Sequence, residues 1–292
     1  IVGIIGIVTN IINMLVLFRH GMDDSTNIVL FGLSASDLVY SFCETYGRLI
    51  GITIRVDLFL ARTLSPVYVV CLMFIGTFGM VTSVWLVSLI SIERMIAVCF
   101  PFHVSRLMSP IRMRSMVVFV FTFVALLYSP SCCVYYLDWS FDPRYNRTLL
   151  TYFERKEFND NIWWIFIILL YIFPAFASSV PMIIILVCTL ATILKLIRAN
   201  KNVGNSSSSR AKRVKEMRSI KISLIICGCM AFSILIPNAF LDAFYIPEDL
   251  FRLIRAFAQL AVQINATMNF FIYVALSSKF KSTCLNLIQC DK

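Results

Sequence analysis

The chain has 292 residues, of which 59% are hydrophobic, 14% charged and 14% aromatic, and its formal net charge is +10. Soluble domains carry about 25% charged residues and about 45–50% apolar ones, so a water-soluble enzyme and a disordered chain are both excluded. An integral membrane protein remains, with its basic excess gathered in cytoplasmic loops and no implied partnership with nucleic acid.

A membrane-crossing helix needs about 20 mostly apolar residues, and the chain breaks into seven such runs. Their continuity and lack of alternation favour helices over a barrel. The first, about 1–19, reads as a membrane helix rather than a cleaved signal, because no basic region or small-residue cleavage site stands before it; an N-terminal extension is expected to precede it. The others are about 27–50, 63–98, 112–136, 161–198, 213–245 and 250–275, followed by a short amphipathic helix at about 277–289 with Phe280, Cys284, Leu287 and Ile288 at helical spacing. The whole of 1–292 is expected to form one all-α seven-helix membrane domain. The stretch 199–210, with Gly204 and a run of serines, reads as a flexible linker.

Orientation follows from the basic residues. With the N-terminus outside, Arg19, Arg94, Arg106, Arg112, Arg114 and the basic cluster Lys195 to Lys221 all fall on the cytoplasmic side, as positive-inside bias requires. The sequon Asn146-Arg147-Thr148 then lies outside, where it can be glycosylated. The sequons at Asn205 and Asn265 fall in the cytoplasm and in a helix and are expected to be silent. Ten cysteines are scattered through apolar runs, and His20 and His103 are the only histidines, which argues against a zinc site.

Ionisable and amide groups inside a bilayer are expensive and mark function by default. Asp37 sits midway along the second run, Ser83 in the third, and Asn10 and Asn13 in the first. Asn265, Asn269 and Tyr273 recur every helical turn in the seventh. Such oxygens can converge on a small hard cation; equally, they can form a hydrogen-bonded cluster that glues helices together. Glu93-Arg94 closes the third run about three turns beyond Ser83, as a switchable charge pair or as a snorkelling surface pair. Pro130, Pro174, Pro181 and Pro237 lie inside runs and invite kinks, whether hinges or fixed bends.

Together these residues resemble the rhodopsin-like (class A) family of G protein-coupled receptors over essentially the whole chain. Asn10 and Leu33-Ser34-Ala35-Ser36-Asp37 look like its first- and second-helix signatures. Glu93-Arg94-Met95 followed by Pro101 is similar to its Asp/Glu-Arg-Tyr motif, and Asn269-Phe270-Phe271-Ile272-Tyr273 to its NPxxY motif. Pro181 and Pro237 match its prolines of helices five and six, and Phe280-Lys281 the start of its helix eight. Met95, Phe270, Leu235 and Thr189 depart from the family's usual Tyr, Pro, Trp and Tyr, and the pattern resembles a divergent invertebrate branch, neuropeptide or chemosensory.

The resemblance implies a sodium pocket formed by Asn10, Asp37, Ser83, Asn265 and Asn269, with sodium as an allosteric ion and no other cofactor. It implies an activation switch of Glu93, Arg94, Pro237 and Tyr273, with the sixth helix swinging outward to admit a heterotrimeric G protein, and arrestin as a further partner. Gly76 stands where amine receptors carry Asp, and Gln263 where opsins carry the retinal Lys, so neither branch fits. The outer residues Glu44, Arg48, Gly76, Asp242, Arg255, Gln259 and Gln263 form the candidate ligand pocket, suited to a peptide or a polar small molecule. The family's extracellular disulfide lacks its usual cysteines: Cys71 stands two residues late and the loop 137–161 has none, leaving Cys132 or Cys133 as substitutes. Cys284 and Cys290 are candidate palmitoylation sites, and basic residues 210–221 a surface for G protein or anionic lipid. The expectation is a multi-pass receptor of the plasma membrane with no enzymatic activity. Its alternatives are a receptor-like scaffold or decoy, and a transporter or channel.

Overall fold

The computed structural model describes residues 1–129, 132, 134–155, 177, 179–201, 225 and 248–289. The sixth run, apart from Ile225, the first half of the fifth, the linker 199–210 beyond residue 201, and Pro130, Pro174, Pro237, Asp242 and Cys290 lie outside the described residues.

Helix α1 (Val2–His20) stops at Gly21, whose φ of 89° lets its amide turn back onto the Phe18 carbonyl. Asp24 then caps α2 (Ser25–Val56) by accepting from the Thr26 amide, and Asp57 caps α3 (Leu58–Val67) by accepting from the amides of Phe59 and Leu60. Pro66, inside α3, removes the amide that would bond the Arg62 carbonyl. A π-helical turn, Tyr68–Leu72, follows and leads into α4 (Met73–Cys99). The third span thus runs from Leu58, earlier than the expected 63, with a widened turn about one pitch below its proline.

After a single turn, α5 (Val104–Leu107), helix α6 starts at Pro110, where the missing amide costs nothing. It ends at Tyr128. The expected continuation of the fourth run to 136 is incorrect: Tyr135–Asp142 is strand β1, paired antiparallel with β2 (Arg147–Glu154). Tyr135, Leu137, Trp139 and Phe141 alternate with other side chains, a period-2 pattern that suits a strand, and the register runs from Tyr135 opposite Glu154 to Asp142 opposite Arg147. Asn146 closes the turn with φ 48°, a conformation Asn tolerates better than most residues. Helix α7 (Val180–Lys201) carries Pro181 as its second residue, and α8 (Glu248–Leu276) runs through the seventh span into the amphipathic α9 (Ser278–Gln289). The axis bends by 100° between α8 and α9.

The core lies between α1, α2, α4 and α8, with α6 and α7 packed on α4. Large apolar side chains such as Val8, Phe42, Ile75, Phe119 and Leu190 point outward, as expected where lipid is the solvent. Close contact between α2 and α4 depends on small residues. A Cβ on Gly79 would come within 2.9 Å of the Ser36 carbonyl oxygen and 3.0 Å of the Tyr40 amide. Gly47 likewise leaves space for the ring of Tyr68, which stacks on Tyr46.

Candidate functional site

Midway along the bundle, Asp37 is 2% exposed and both its oxygens are engaged. Ser83 Oγ, from α4, donates to Oδ1 at 2.6 Å, and Asn269 Nδ2, from α8, donates to Oδ2 at 2.7 Å. One carboxylate therefore ties three helices together. Among the described residues Asp37 forms no ion pair, so its charge is countered only by hydrogen bonds, an expensive arrangement in a low-dielectric interior. Asn269 Oδ1 is buried without a hydrogen-bond partner.

Asn10 is fully buried. Its Nδ2 donates to the Gly6 carbonyl at 2.9 Å and to the Ala266 carbonyl at 3.0 Å, bridging α1 to α8. Asn13 donates weakly to Asn10 Oδ1 at 3.5 Å. Asn265 is buried one turn before Asn269. Asp37, Ser83 and Asn269 are thus brought into direct contact, while Asn10 meets the seventh span through its backbone.

Toward the Arg19 end, Glu93 is 5% exposed. Its Oε1 accepts from Ser25 Oγ and Thr26 Oγ1, each at 2.9 Å, and Arg94 lies 3.6 Å from Oε2. Arg94 also donates to Thr26 Oγ1 at 2.8 Å. The pair is therefore held by the first turn of α2. Ser25 and Thr26 were missed from sequence: they stand just before the second run as read, and nothing local shows a contact with the end of α4. Tyr273 is buried against Phe280 of α9, ring centroids 5.5 Å apart, with its hydroxyl unpartnered. No hydrogen bond links it to Arg94 here.

The candidate ligand residues differ in burial. Gly76 is buried where α4 meets α2: a Cβ there would sit 2.9 Å from Cys43 Cβ. Gln263 is 1% exposed and donates to Ser41 Oγ at 2.9 Å, joining α8 to α2. Gln259 is exposed, and Glu44 and Arg48 lie one turn apart on α2, half-buried and exposed respectively. Arg255 falls within α8, with its side chain outside the described residues. Asn146 is exposed at the hairpin turn, accessible to glycosylation. Cys71 is a free, exposed thiol, and Cys132 is exposed. Cys284, a candidate for palmitoylation, is 8% exposed and packs into the core.

The order of these groups along the chain is matched by a family model: the 7 transmembrane receptor (rhodopsin family) aligns with residues 9–273. The chain belongs to this family. The receptor is 27% identical to the FMRFamide receptor of Drosophila melanogaster over 96% of its own length, and it spans 51% of that protein. It is 24% identical to the thyrotropin-releasing hormone receptor of Mus musculus, covering 99% of the chain and 77% of the mouse protein. A probable G-protein coupled receptor of Caenorhabditis elegans is also 24% identical, over 99% of the chain. The chain spans about half the length of the Drosophila relative. The resemblance drawn from the Asp37, Glu93-Arg94 and Asn269–Tyr273 motifs is borne out: this is a multi-pass membrane receptor with the family's seven-helix fold, not an enzyme.

Proposed function

We propose that the receptor binds an extracellular peptide and activates a heterotrimeric G protein, working at the plasma membrane with its N-terminus outside. The observation that carries this reading is the Asp37–Ser83–Asn269 cluster, a buried charge shared by three helices. The names of the Drosophila and mouse relatives, both receptors for peptides, support the ligand class. A shared charge of this kind makes the relative positions of α2, α4 and α8 interdependent, so a ligand that shifts one helix is opposed or assisted by the others.

The donor set also suits sodium. Asp37 and Ser83 offer hard oxygens, and the unpartnered Asn269 Oδ1 supplies a third buried acceptor with nothing to accept from. A bound sodium ion would supply the positive charge that Asp37 otherwise lacks. The residues of the chain do the rest: Asn269 and Ser83 orient the carboxylate, and Asn10 holds α1 against α8. At the other end, Ser25 and Thr26 hold Glu93 and Arg94 against α2. Release of Arg94 from that grip, with outward movement of the sixth span around Pro237, opens the cytoplasmic face to the G protein and, after it, arrestin.

The test is nucleotide exchange on purified G proteins by the receptor in lipid nanodiscs, screened over a peptide library. Peptide-dependent exchange is expected. Exchange that stays at the receptor-free level for every peptide and G protein tested would favour a scaffold or decoy, and peptide-independent ion flux in sealed vesicles would favour a channel or transporter.

A further inference from the structure

Toward the Val56 end of α2, one turn beyond Asp37, a second polar contact crosses three helices. Gln263 of α8 is buried, and its Nε2 donates at 2.9 Å to Ser41 Oγ of α2, itself fully buried. Thr267, one turn along α8, donates its hydroxyl to the Gln263 carbonyl at 2.8 Å. Helix α1 closes this contact with bare backbone. A Cβ on Gly6 would come within 2.8 Å of Ser41 Oγ, 2.9 Å of Thr267 Oγ1 and 3.1 Å of Gln263 Nε2. Three polar atoms from two helices therefore crowd the space that a methyl group at position 6 would take. The Gly6 carbonyl accepts from Asn10 Nδ2, which also donates to the Ala266 carbonyl, so α1 is fastened to α8 at this level.

Only one end of the Gln263 amide is satisfied. Its Oε1 is buried without a hydrogen-bond partner. A buried hydrogen bond and an unmet buried acceptor are of similar size and opposite sign, so the present position of α8 gains from Nε2 and loses from Oε1. We infer that Gln263, Ser41 and Gly6 form a second interhelical lock that sets where α8 sits against α2, and that the unmet end of the amide makes it a two-position lock rather than a fixed joint. Gln263 is its positioning residue. Six residues further along α8, Asn269 joins the same two helices again through Asp37, so a change at the lock reaches the buried carboxylate along two rigid helices. Its value for signalling rests on the proposed function; the lock itself does not.

The test uses the whole receptor in nanodiscs without peptide or G protein, so its result stands whether or not the receptor signals. Spin labels on encoded residues at Leu49 of α2 and Phe257 of α8, both exposed, leave the ten cysteines untouched. Pulsed electron resonance reads the distance between them. Ser41→Ala removes the acceptor and strands both ends of the amide. The share of a second distance, differing by about 1–2 Å, should then rise roughly five- to tenfold. Gln263→Met removes the amide at similar length, and Ser41 can bond a carbonyl one turn back, so the original distance should dominate. The double variant should keep that original distance too, because replacing both partners by apolar groups leaves nothing unmet. Gly6→Ala crowds the same three atoms from α1 and should give the same second distance, which carries the test if Ser41→Ala folds poorly by its thermal midpoint. Distances unchanged by Ser41→Ala and Gly6→Ala, or a shift that persists in the double variant, would overturn the lock.

Discussion

Replacing Asn269 with Leu removes the Nδ2 donor 2.7 Å from Asp37 Oδ2 and leaves Ser83 as the carboxylate's side-chain donor among the described residues. Two magnitudes compete for the outcome. A buried hydrogen bond to a charged group contributes about 1.5–3 kcal/mol in soluble proteins. Interhelical hydrogen bonds within membranes average about 0.6 kcal/mol and reach about 1.7, because the separated helices find other partners. Asp37 is 2% exposed and has no ion pair among the described residues, so alternative partners for its charge are scarce. The coupling should therefore fall near the upper membrane value, about 1.5 kcal/mol. The assay is reversible unfolding in mixed detergent micelles for the original receptor, Asn269→Leu, Asp37→Asn and the double variant. A coupling below about 0.3 kcal/mol would show that the contact is incidental, and the reasoning from burial and distance would fail.

Three further outcomes are expected. Gly79→Val should lower stability by about 1–3 kcal/mol, since the atoms it would meet, the Ser36 carbonyl oxygen and the Tyr40 amide nitrogen, are backbone and cannot rotate away; Gly51→Ala, with nothing within 4 Å, is the control and should be neutral or slightly stabilising. Thermal midpoints in the same detergent compare the two. Glu93→Gln weakens the acceptor shared by Ser25 and Thr26 and the pull on Arg94, so ligand-free nucleotide exchange should rise several-fold, roughly matching a loss of about 1 kcal/mol; unchanged basal exchange would separate this pair from activation. Asn146→Gln should abolish a glycosidase-sensitive shift in gel mobility of receptor from eukaryotic cells, and the absence of any such shift in the original would count against placing the hairpin outside.

Helices were legible from the sequence because a bilayer demands long apolar runs, while the caps at Asp24 and Asp57 start α2 and α3 earlier than the runs from 27 and 63. The hairpin was hidden, because its alternating aromatics follow directly on the apolar fourth run and continue its hydrophobic character. The polar core was legible as a set of misplaced residues: Asp37, Ser83 and Asn269 stand out in apolar surroundings, and helical spacing alone puts Asn269 on a face with Asn265 and Tyr273. What spacing could not show is who meets whom. Thr26 reaching Glu93, Gln263 reaching Ser41, and Arg62 reaching Asp142 join distant parts of the chain, and such pairs depend on how the helices pack. The approach of Cys43 to Gly76 is another such pair: Gly76 was singled out through the family resemblance, and spacing did not show what it packs against.

The central claim is that the Asp37 cluster is a charge-bearing switch rather than passive glue between helices. Its most direct test is the affinity of a labelled activating peptide measured against rising sodium at constant ionic strength, with an organic cation as replacement, for the original receptor and for Asp37→Asn. Allosteric couplings of about 1–3 kcal/mol correspond to about 5- to 150-fold in affinity, so sodium should weaken peptide binding to the original receptor within that range. The Asp37→Asn receptor should bind the peptide equally well with or without sodium. Equal sodium sensitivity in both, or none in either, would contradict the account.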